Sequence, residues 1–364
     1  LHDALPIYAI RKNREERFPS EALDGLKRDG WIGLTIPEAY GGGGADPLTY
    51  CLVIEELGRG DANVRSILSV HLGLVAGSIA RWGNEDQKQQ WLPLMATGEA
   101  LGCFCLTEPD HGSDPATLES TAVREGDTYR INGSKIFITN GDIAGVALVM
   151  ARTGGPGARG VSAFLVPCDA PGFTPKPIHG KLGLRSCDTA EIALNDVVIP
   201  ASALLGEEGD GIKVALSALD DGRMSLAASC TGLAQNALDV MTAYATQREQ
   251  FGRPIASFQL VQELIADTAV EVEAARLLTW RVADLKMRGE KYTLAASMAK
   301  YYASEASVRA ANAAVQVHGG YGYVDEFVVG KLLRDARVTT LYEGTSQIQK
   351  LLIGRAVTGV SAFG

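Results

Sequence analysis

One carboxylate near the C-terminal end stands where it could serve as a base. Glu343 lies in the run Tyr342-Glu343-Gly344-Thr345-Ser346, just before a helix start that Thr345 or Ser346 would cap. A glutamate has a normal pKa of roughly 4.3 and is a weak base, so proton abstraction would need an apolar enclosure that raises this pKa. On the residues alone, ordinary capping chemistry is the competing interpretation.

Two segments in the middle of the chain could hold an anion and a planar ring. Residues 104–114 read Phe-Cys-Leu-Thr-Glu-Pro-Asp-His-Gly-Ser-Asp, and Gly112 and Ser113 would let backbone N–H groups approach an anion closely. In the next segment, Phe137 and Thr139 are two residues apart and share one face of a strand. A plain turn and an ordinary strand are the competing interpretations.

A third segment carries two guanidinium groups around an aromatic ring. Arg248 and Arg253 flank Phe251, and arginine binds phosphate in a bidentate manner. The segment therefore predicts either a pyrophosphate contact or a solvated charged turn.

Composition limits the classes of function. The 364 residues include 34 Lys and Arg against 43 Asp and Glu, which gives a formal charge of −9. Hydrophobic residues make up 46% and charged residues 21%, a balance that excludes intrinsic disorder. The acidic excess argues against nucleic acid and anionic membranes as partners. No uncharged apolar run reaches the roughly 18 residues of a membrane span, so no membrane partner is predicted.

The cysteines and histidines show no metal-ligand spacing. The six cysteines are scattered and predict reduced, buried thiols in a cytoplasmic protein. The histidines likewise predict no metal site. The chain begins at Leu1 without a methionine, and a truncated N-terminus is expected.

The composition and the hydrophobic pattern of the sequence change twice along the chain, which predicts three domains. These are a helical domain at 1–103, a β domain at 104–210 and a helical domain at 211–364. Apolar residues at helical spacing predict helices at 50–57, 70–82, 261–278 and 295–316, and a last helix after Ser346.

The middle domain reads as short strands at close spacing, which favours a small barrel or sandwich. Apolar runs predict strands at 146–151 and 161–166, and a loose alternation that stops at Pro200 predicts a strand at 190–199. The Asn132-Gly133 pair predicts a type I′ turn that joins strands 128–131 and 134–139 in a hairpin.

In order and at the expected separations, these segments resemble the acyl-CoA dehydrogenase family of flavoenzymes. The similarity runs from about Phe18 to Gly359 and includes Gly30-Trp-Ile-Gly33 and the run Lys-Leu-Gly-Leu-Arg-Ser-Cys-Asp-Thr at 181–189. The resemblance implies an α+β multidomain fold with an all-α N-terminal domain, a middle β-barrel or sandwich domain and a C-terminal four-helix bundle. FAD would lie in a cleft that a neighbouring subunit completes, so a homo-oligomer, dimer or tetramer, is implied.

The resemblance also implies cofactor contacts residue by residue. Those expected at the flavin, ribityl chain or pyrophosphate are Phe104, Leu106, Thr107, Gly112 and Ser113. Phe137 and Thr139 are expected at the ring, and the family often has Trp where Phe137 stands. Those expected to reach the FAD of the dimer mate are Arg248, Gln250, Phe251, Gln316 and Gly320. Thr345 and Gln347 are expected at the FAD of their own subunit.

The implied reaction converts an acyl-CoA to its trans-2-enoyl-CoA by α-proton abstraction and β-hydride transfer to flavin N5. Glu343 matches the family's base, and its backbone N–H would donate to the thioester oxygen. The family's alternative base position corresponds to Gly222, which carries no carboxylate, although Asp221 lies beside it. Asp220 and Arg223 match positions that line the thioester-carrier channel, and a helix-surface ion pair is their competing interpretation.

The substrate stays open between two kinds of acyl group. A short-chain acyl-CoA is favoured because residues 273–280, Glu-Ala-Ala-Arg-Leu-Leu-Thr-Trp, are similar to short-chain enzymes. Arg65 resembles the arginine that pairs with the distal carboxylate in glutaryl-CoA dehydrogenases, and similar segments occur in enzymes that act on malonyl-type units on acyl carrier protein. Gly58 replaces the acidic residue that accompanies this arginine in glutaryl enzymes. The other expected substrate contacts are Ser113, Tyr342 and Gly344.

Partners and rival activities follow from the resemblance alone. The usual electron acceptor is electron-transferring flavoprotein. A flavin monooxygenase or nitroalkane-type oxidase on the same fold would lack the Tyr-Glu-Gly-Thr context or replace its glutamate. A non-catalytic scaffold that kept the fold is the alternative of another class, and the retained base and flavin contacts argue against it.

Overall fold

The N-terminal part of the protein is helical. The computed structural model describes residues 5–362, so the predicted truncation at Leu1 lies outside the described residues. The N-terminal helices are α1 (Leu5–Glu15), α2 (Ser20–Arg28), α3 (Pro47–Gly60), α4 (Ala62–Leu68), α5 (Gly77–Trp82) and α6 (Glu85–Thr97). Asp46 and Asp61 cap α3 and α4 with their side chains, which fixes where each helix begins.

The stretch between α4 and α5 departs from the predicted α-helix. Ser69–Ala76 forms a π-helix, a rare form that is frequent at functional sites. Its residues are almost all buried, including His71, whose Nδ1 accepts from the Gly102 N–H at 3.0 Å. Nε2 of this neutral imidazole donates to the Met95 carbonyl at 3.1 Å, and burial lowers the pKa of His71 to about 4.

The run Ala62–Trp82 is long and apolar enough to cross a membrane, and 89% of its apolar window is buried inside the protein. This helix packs against α7 and strand β1 rather than presenting an apolar surface. Such burial is typical of the core helix of a soluble protein.

Eight strands of the middle part form one sheet. They are β1 (Gly102–Cys105), β2 (Thr121–Glu125), β3 (Thr128–Thr139), β4 (Val146–Arg152), β5 (Val161–Pro167), β6 (Phe173–Pro177), β7 (Thr189–Pro200) and β8 (Leu204–Leu205). The order is β6-β7-β3-β2-β4-β5-β8, and β1 pairs in parallel with β4. The strands predicted at 146–151, 161–166 and 190–199 are confirmed as β4, β5 and β7.

The predicted hairpin at Asn132-Gly133 is wrong. β3 runs straight through both residues, and the hairpin partner is β2, joined through Gly126 and Asp127. Gly133 marks a register shift against β7 instead. A glycine is needed there because an added Cβ would come within 2.6 Å of the Ser120 Cβ.

Helices return after the sheet. They are α7 (Gly211–Gln247), α8 (Gln259–Met287), α9 (Thr293–His318), α10 (Val329–Val338) and α11 (Ser346–Thr358), with a short β-ribbon, β9 (Glu249–Gln250) and β10 (Arg253–Pro254). The longest helices, α7, α8 and α9, pack together through buried alanines. The helices predicted at 261–278 and 295–316 are confirmed as α8 and α9.

A buried ion cluster fastens α4 to α10. Lys331 donates to Asp61 at 2.8 Å and to Asp335 at 2.6 Å, and all three side chains are nearly inaccessible to water. Asp335 also accepts from the Leu184 N–H at 2.6 Å, and Asn63 accepts from the Cys187 N–H at 3.1 Å. The cluster therefore fixes the helix that carries Arg65 relative to the helix that precedes Glu343.

A second buried ion pair joins the loop after β1 to β3. Lys135 donates to Glu108 at 2.7 Å, and both side chains are buried. Glu108 also accepts from the backbone N–H groups of Glu119 and Ser120. Burial alone would raise the pKa of Glu108, but Lys135 and these donors hold it below its ordinary value. The pair thus locks two segments that the sequence singled out.

Replacing one member of this pair tests its contribution to stability. We expect Lys135→Met to lower the free energy of unfolding by about 3–5 kcal/mol, because the Glu108 charge stays buried without its cation. Urea denaturation of the purified protein measures this change. The double variant Glu108→Gln/Lys135→Met leaves no charge and should recover much of the loss. A single variant as stable as the parent would contradict the assignment.

Candidate active site

The turn between α10 and α11 carries Glu343 in a left-handed backbone conformation. Glu343 has φ 58° and Gly344 has φ 86°. Positive φ at a non-glycine residue costs roughly 1–3 kcal/mol and persists only where the surroundings hold it. Thr345 caps α11 by accepting from the Ile348 N–H at 3.2 Å, which confirms one of the two predicted caps.

Three side chains from three helices hold the carbonyl groups of this turn. Gln349 donates to the Glu343 oxygen at 3.0 Å and to the Gly344 oxygen at 3.1 Å. Arg223 donates to the Glu343 oxygen at 3.3 Å, and Lys300 donates to the Gly344 oxygen at 2.8 Å. The backbone N–H of Glu343 finds no acceptor within the described chain and stays available to a ligand.

The surroundings of the Glu343 carboxyl raise its pKa, so that it loses its proton near neutral pH. Its Oε2 atom is buried and has no hydrogen-bond partner among residues 5–362. Desolvation raises the pKa of Glu343 to about 7, against the opposing pull of the cations Arg223, Lys300 and Arg65. A base for proton abstraction needs such a pKa.

Gly222 makes room for this carboxyl. A Cβ built on Gly222 would lie 2.5 Å from Glu343 Oε2 and 2.7 Å from its Cδ. The position that the sequence identified as the alternative base therefore faces Glu343 directly across the site. One carboxylate occupies the space, and a second side chain would displace it.

The two acids beside Gly222 are engaged elsewhere. Asp221 accepts from Lys286 at 2.6 Å and from the Tyr292 hydroxyl at 2.7 Å. Asp220 accepts from Thr293 at 2.6 Å and from Arg223 at 2.9 Å. Arg223 is only 5% exposed, so this pair is a buried support of the turn rather than a helix-surface ion pair.

Arg65 is a buried cation without a carboxylate partner. It is 2% exposed, and the one hydrogen bond that it makes within residues 5–362 goes to the Tyr342 hydroxyl at 3.2 Å. Its Nε has no partner, and no acidic group in the described part of the chain lies within ion-pair distance. Burial raises the pKa of Tyr342 to about 12, so the phenol is neutral and does not offset the guanidinium charge.

The loop after β1 presents free backbone donors. The N–H groups of Gly112, Ser113 and Asp114 meet no acceptor in the part of the chain that the structure describes. The loop is tied to β3 because the Ile136 N–H donates to the Thr107 oxygen at 2.9 Å. Exposed donors of this kind suit a phosphate group. Phe104 and Leu106 lie on the same segment, half-buried and buried respectively.

A bulge in β3 turns an aromatic ring outward. The register against β7 shifts between Lys135 and Ile138, and Phe137 between them has φ 59°. Phe137 is 66% exposed, whereas Ile138 is buried and Thr139 is half-buried. Bulges next to functional sites commonly re-aim a side chain in this way. The two residues predicted at a ring system thus both face away from the core.

The other predicted cofactor residues in the C-terminal part of the chain are mostly exposed. Arg248 stacks over Tyr321 at 5.7 Å, next to Gly320, and Phe251 is 92% exposed at φ 54°. Gln250 and Gln316 are exposed, as is Gln347 on α11. No hydrogen bond, ion pair or ring contact among residues 5–362 joins Arg248 or Phe251 to the loop at Gly112.

Sequence reasoning missed the supports of the turn. Lys300 is a lone lysine on the alanine face of α9, at the helical spacing of Ala296 and Ala303. Gln349 is fully buried, whereas the sequence assigned a role only to Gln347. A charged residue at a core position was the available signal for Lys300.

The fold and the site together define a class of flavin-dependent dehydrogenases with a helix–sheet–helix arrangement. Comparison with protein families gives the acyl-CoA dehydrogenase N-terminal domain at residues 3–99, the middle domain at 103–197 and the C-terminal domain at 209–358. The human mitochondrial short-chain specific acyl-CoA dehydrogenase is 42% identical, over 96% of this chain and 85% of the relative. The chain belongs to the acyl-CoA dehydrogenase family.

Solved structures agree with this assignment. Butyryl-CoA dehydrogenase from Megasphaera elsdenii superposes with a TM-score of 0.95 at 39% identity, over 98% of this chain and 94% of that one. A glutaryl-CoA dehydrogenase from Mycobacterium smegmatis in complex with FADH2 superposes with a TM-score of 0.94 at 36% identity, over 100% and 92%. The family is FAD-dependent, and the free donors at Gly112 to Asp114 with the exposed Phe137 ring fit such a cofactor.

The close approach of Gly222 to the Glu343 carboxyl predicts that a substitution at Gly222 lowers activity without lowering stability. In Gly222→Ala, the added methyl would push the Glu343 carboxyl aside, and a displacement of 1 Å costs about 10²-fold in turnover. Helix propensity would gain roughly 0.5–1 kcal/mol, so the variant should unfold no earlier than the parent. Steady-state assays and thermal unfolding measure the two effects.

Gly232→Ala on the same helix is the matched control. Its Cβ would meet backbone rather than a mobile carboxyl, 2.7 Å from the Arg59 nitrogen. We expect a loss of stability at Gly232 and a loss of turnover at Gly222. Equal turnover of the parent and Gly222→Ala would show that the carboxyl tolerates displacement.

Proposed function

We propose that the protein dehydrogenates a short-chain acyl-CoA to the trans-2-enoyl-CoA, with Glu343 as the base that removes the α-proton. The observation that carries this proposal is the buried, unpartnered Oε2 of Glu343 with a pKa of about 7. The similarity to a short-chain specific enzyme and to a butyryl-CoA dehydrogenase supports the chain length.

Each group of the turn has a task in this reaction. The Glu343 carboxylate takes the α-proton, and the free Glu343 N–H donates to the thioester oxygen as charge develops on it. Arg223, which is paired with Asp220, holds the turn. Both residues would line the path of the CoA carrier. Bound FAD supplies the acceptor for the β-hydride. The free donors of Gly112 and Ser113 would hold its pyrophosphate, and Phe137 and Thr139 would face its ring.

The remaining cofactor contacts would come from a second copy of the chain. The exposed group at Arg248, Gln250, Phe251, Gln316 and Gly320 fits contact with a neighbouring subunit's FAD, because it has no contact with the Gly112 loop of its own chain. Thr345 and Gln347 would reach their own subunit's FAD. We therefore infer a homo-oligomer.

All six cysteines are free, which fits a reducing compartment such as the cytoplasm. We infer electron-transferring flavoprotein as the electron acceptor.

The pKa of Glu343 sets the pH dependence. The base must be ionised, so kcat/KM for butyryl-CoA should rise about tenfold per pH unit below pH 7 and level off above it. Glu343→Gln removes the base and should lower kcat by roughly 10²–10⁴-fold. Dye-linked assays across pH 5–9 measure both effects.

Flavin absorbance of the purified Glu343→Gln protein is the control, since FAD must still be bound. Full-speed enoyl product from that variant, or a profile flat from pH 5 to 8, would refute Glu343 as the base.

A substrate with a distal carboxylate is the second candidate. The guanidinium of Arg65 favours it, because this buried cation has no carboxylate at ion-pair distance among residues 5–362 and a substrate anion in direct contact would stabilise it. A glutaryl-type or malonyl-type thioester, on CoA or on acyl carrier protein, would supply that anion. Gly58 leaves no acidic side chain at the place where glutaryl enzymes have one, and the α3 backbone lies too close to Ser229 to accept one.

Arg65→Ala separates the two candidates. For a dicarboxylate substrate, kcat/KM for glutaryl-CoA should fall at least about 30-fold, because breaking a buried charge pair costs about 2 kcal/mol or more. Turnover of butyryl-CoA should change far less. Tyr342→Phe is the control, since it keeps the cation and removes only its phenol partner. Equal losses on both substrates for Arg65→Ala would exclude a carboxylate subsite.

A further inference from the structure

Lys300 is the most unusual residue around the turn. It is fully buried on α9, among small residues such as Ala296, Ala299 and Ala303. Lysine is almost never fully buried unless it is paired. No carboxylate within residues 5–362 lies at ion-pair distance from its Nζ, and the acceptor of its hydrogen bond is the Gly344 carbonyl at 2.8 Å. The Lys300 side chain therefore lies in the core, where it binds the turn that carries Glu343.

A hydrogen bond alone does not explain a lysine at this place. The Gly344 carbonyl already accepts from the Gln349 amide at 3.1 Å, and the same amide reaches the Glu343 carbonyl at 3.0 Å. A neutral donor thus holds both carbonyl groups without the desolvation cost of an ammonium group. The property that Lys300 has and Gln349 lacks is a positive charge.

The hydrogen bond to the Gly344 carbonyl places that charge at the residue next to Glu343. Burial lowers the pKa of Lys300 to about 8, opposed by Cys230 on α7, by Glu343 and by Glu305 on α9. Arg223 on α7 lowers it further, and Arg65 on α4 acts on Glu343 from another side. The ammonium group is charged at pH 7, where the Glu343 carboxyl is near its midpoint.

We propose that Lys300 is a positioning residue that fastens the Glu343–Gly344 turn and keeps a buried positive charge beside the Glu343 carboxyl, which favours the ionised form of the base. The proposal deepens the proposed function, since it concerns the group assigned there as the base. The experiment measures the protonation of the Glu343 carboxyl directly and does not depend on turnover.

The experiment compares Lys300→Met with Gln349→Met in the flavin-loaded protein. Both variants remove one donor from the Gly344 carbonyl with an unbranched apolar side chain. Gln349→Met also removes the donor to the Glu343 carbonyl, and only Lys300→Met removes a charge. Infrared difference spectra across pH 5–9 follow the protonated carboxyl band that Glu343→Gln abolishes. We expect Lys300→Met to raise the midpoint by about one pH unit, the scale of losing one nearby opposite charge, and Gln349→Met to leave it in place.

Turnover provides the second readout. The acidic limb of kcat/KM should move upward with the infrared midpoint in Lys300→Met, which lowers the rate at pH 6 about tenfold. Gln349→Met should lower kcat without moving the limb. Should Lys300→Met fail to fold, Lys300→Gln keeps a donor without the charge, and the same shift is expected.

An unchanged midpoint in Lys300→Met or Lys300→Gln would overturn the proposal and leave Lys300 as packing. A shifted midpoint with a fully active Glu343→Gln would uphold the electrostatic role of Lys300 while removing Glu343 as the base. The two failures are therefore distinguishable.

Discussion

The site depends on burying the Glu343 carboxylate away from water while keeping it able to ionise. Desolvation of the Glu343 carboxyl raises its pKa, and three cations limit the rise. The three come from different helices, Arg65 from α4, Arg223 from α7 and Lys300 from α9. Such a balance exists only when the N-terminal and C-terminal helices are packed together, so the chemistry of one side chain is a property of the whole helical assembly.

The sheet contributes the other half of the site through two local departures from regular structure. The bulge at Phe137 gives up ladder pairing to turn a ring outward, and the loop at Gly112 leaves its N–H groups free. Both features would be mobile if nothing fixed them to each other. The buried pair of Glu108 and Lys135 supplies that connection, with its charges satisfied by each other and by backbone donors.

The sequence could predict the family and the three-part arrangement because short motifs recur in a fixed order, and hydrophobic periodicity located the long helices. It failed at Asn132-Gly133, where the pair is typical of a tight turn but Ser120 opposite requires a glycine inside a strand. The π-helix at Ser69–Ala76 was equally hidden, since its residues have no polar face to reveal a period. The role of Lys300 depends on which carbonyl it meets, and no local pattern encodes that contact.

The surplus of positive charge bears on the choice of substrate. One carboxylate is surrounded by three cations, and Arg223 is already paired with Asp220 while Lys300 holds a carbonyl. Arg65 donates only to the neutral Tyr342 hydroxyl among residues 5–362, so its charge serves either the ionised Glu343 or an anion that arrives with the substrate. With a neutral short acyl chain, Arg65 acts only on the Glu343 carboxyl, and its removal would affect all substrates through the pKa of Glu343. With a dicarboxylate thioester, the incoming anion would compete for that charge, and the base would become harder to ionise when the substrate binds. The same buried guanidinium therefore links substrate charge to the ionisation of Glu343.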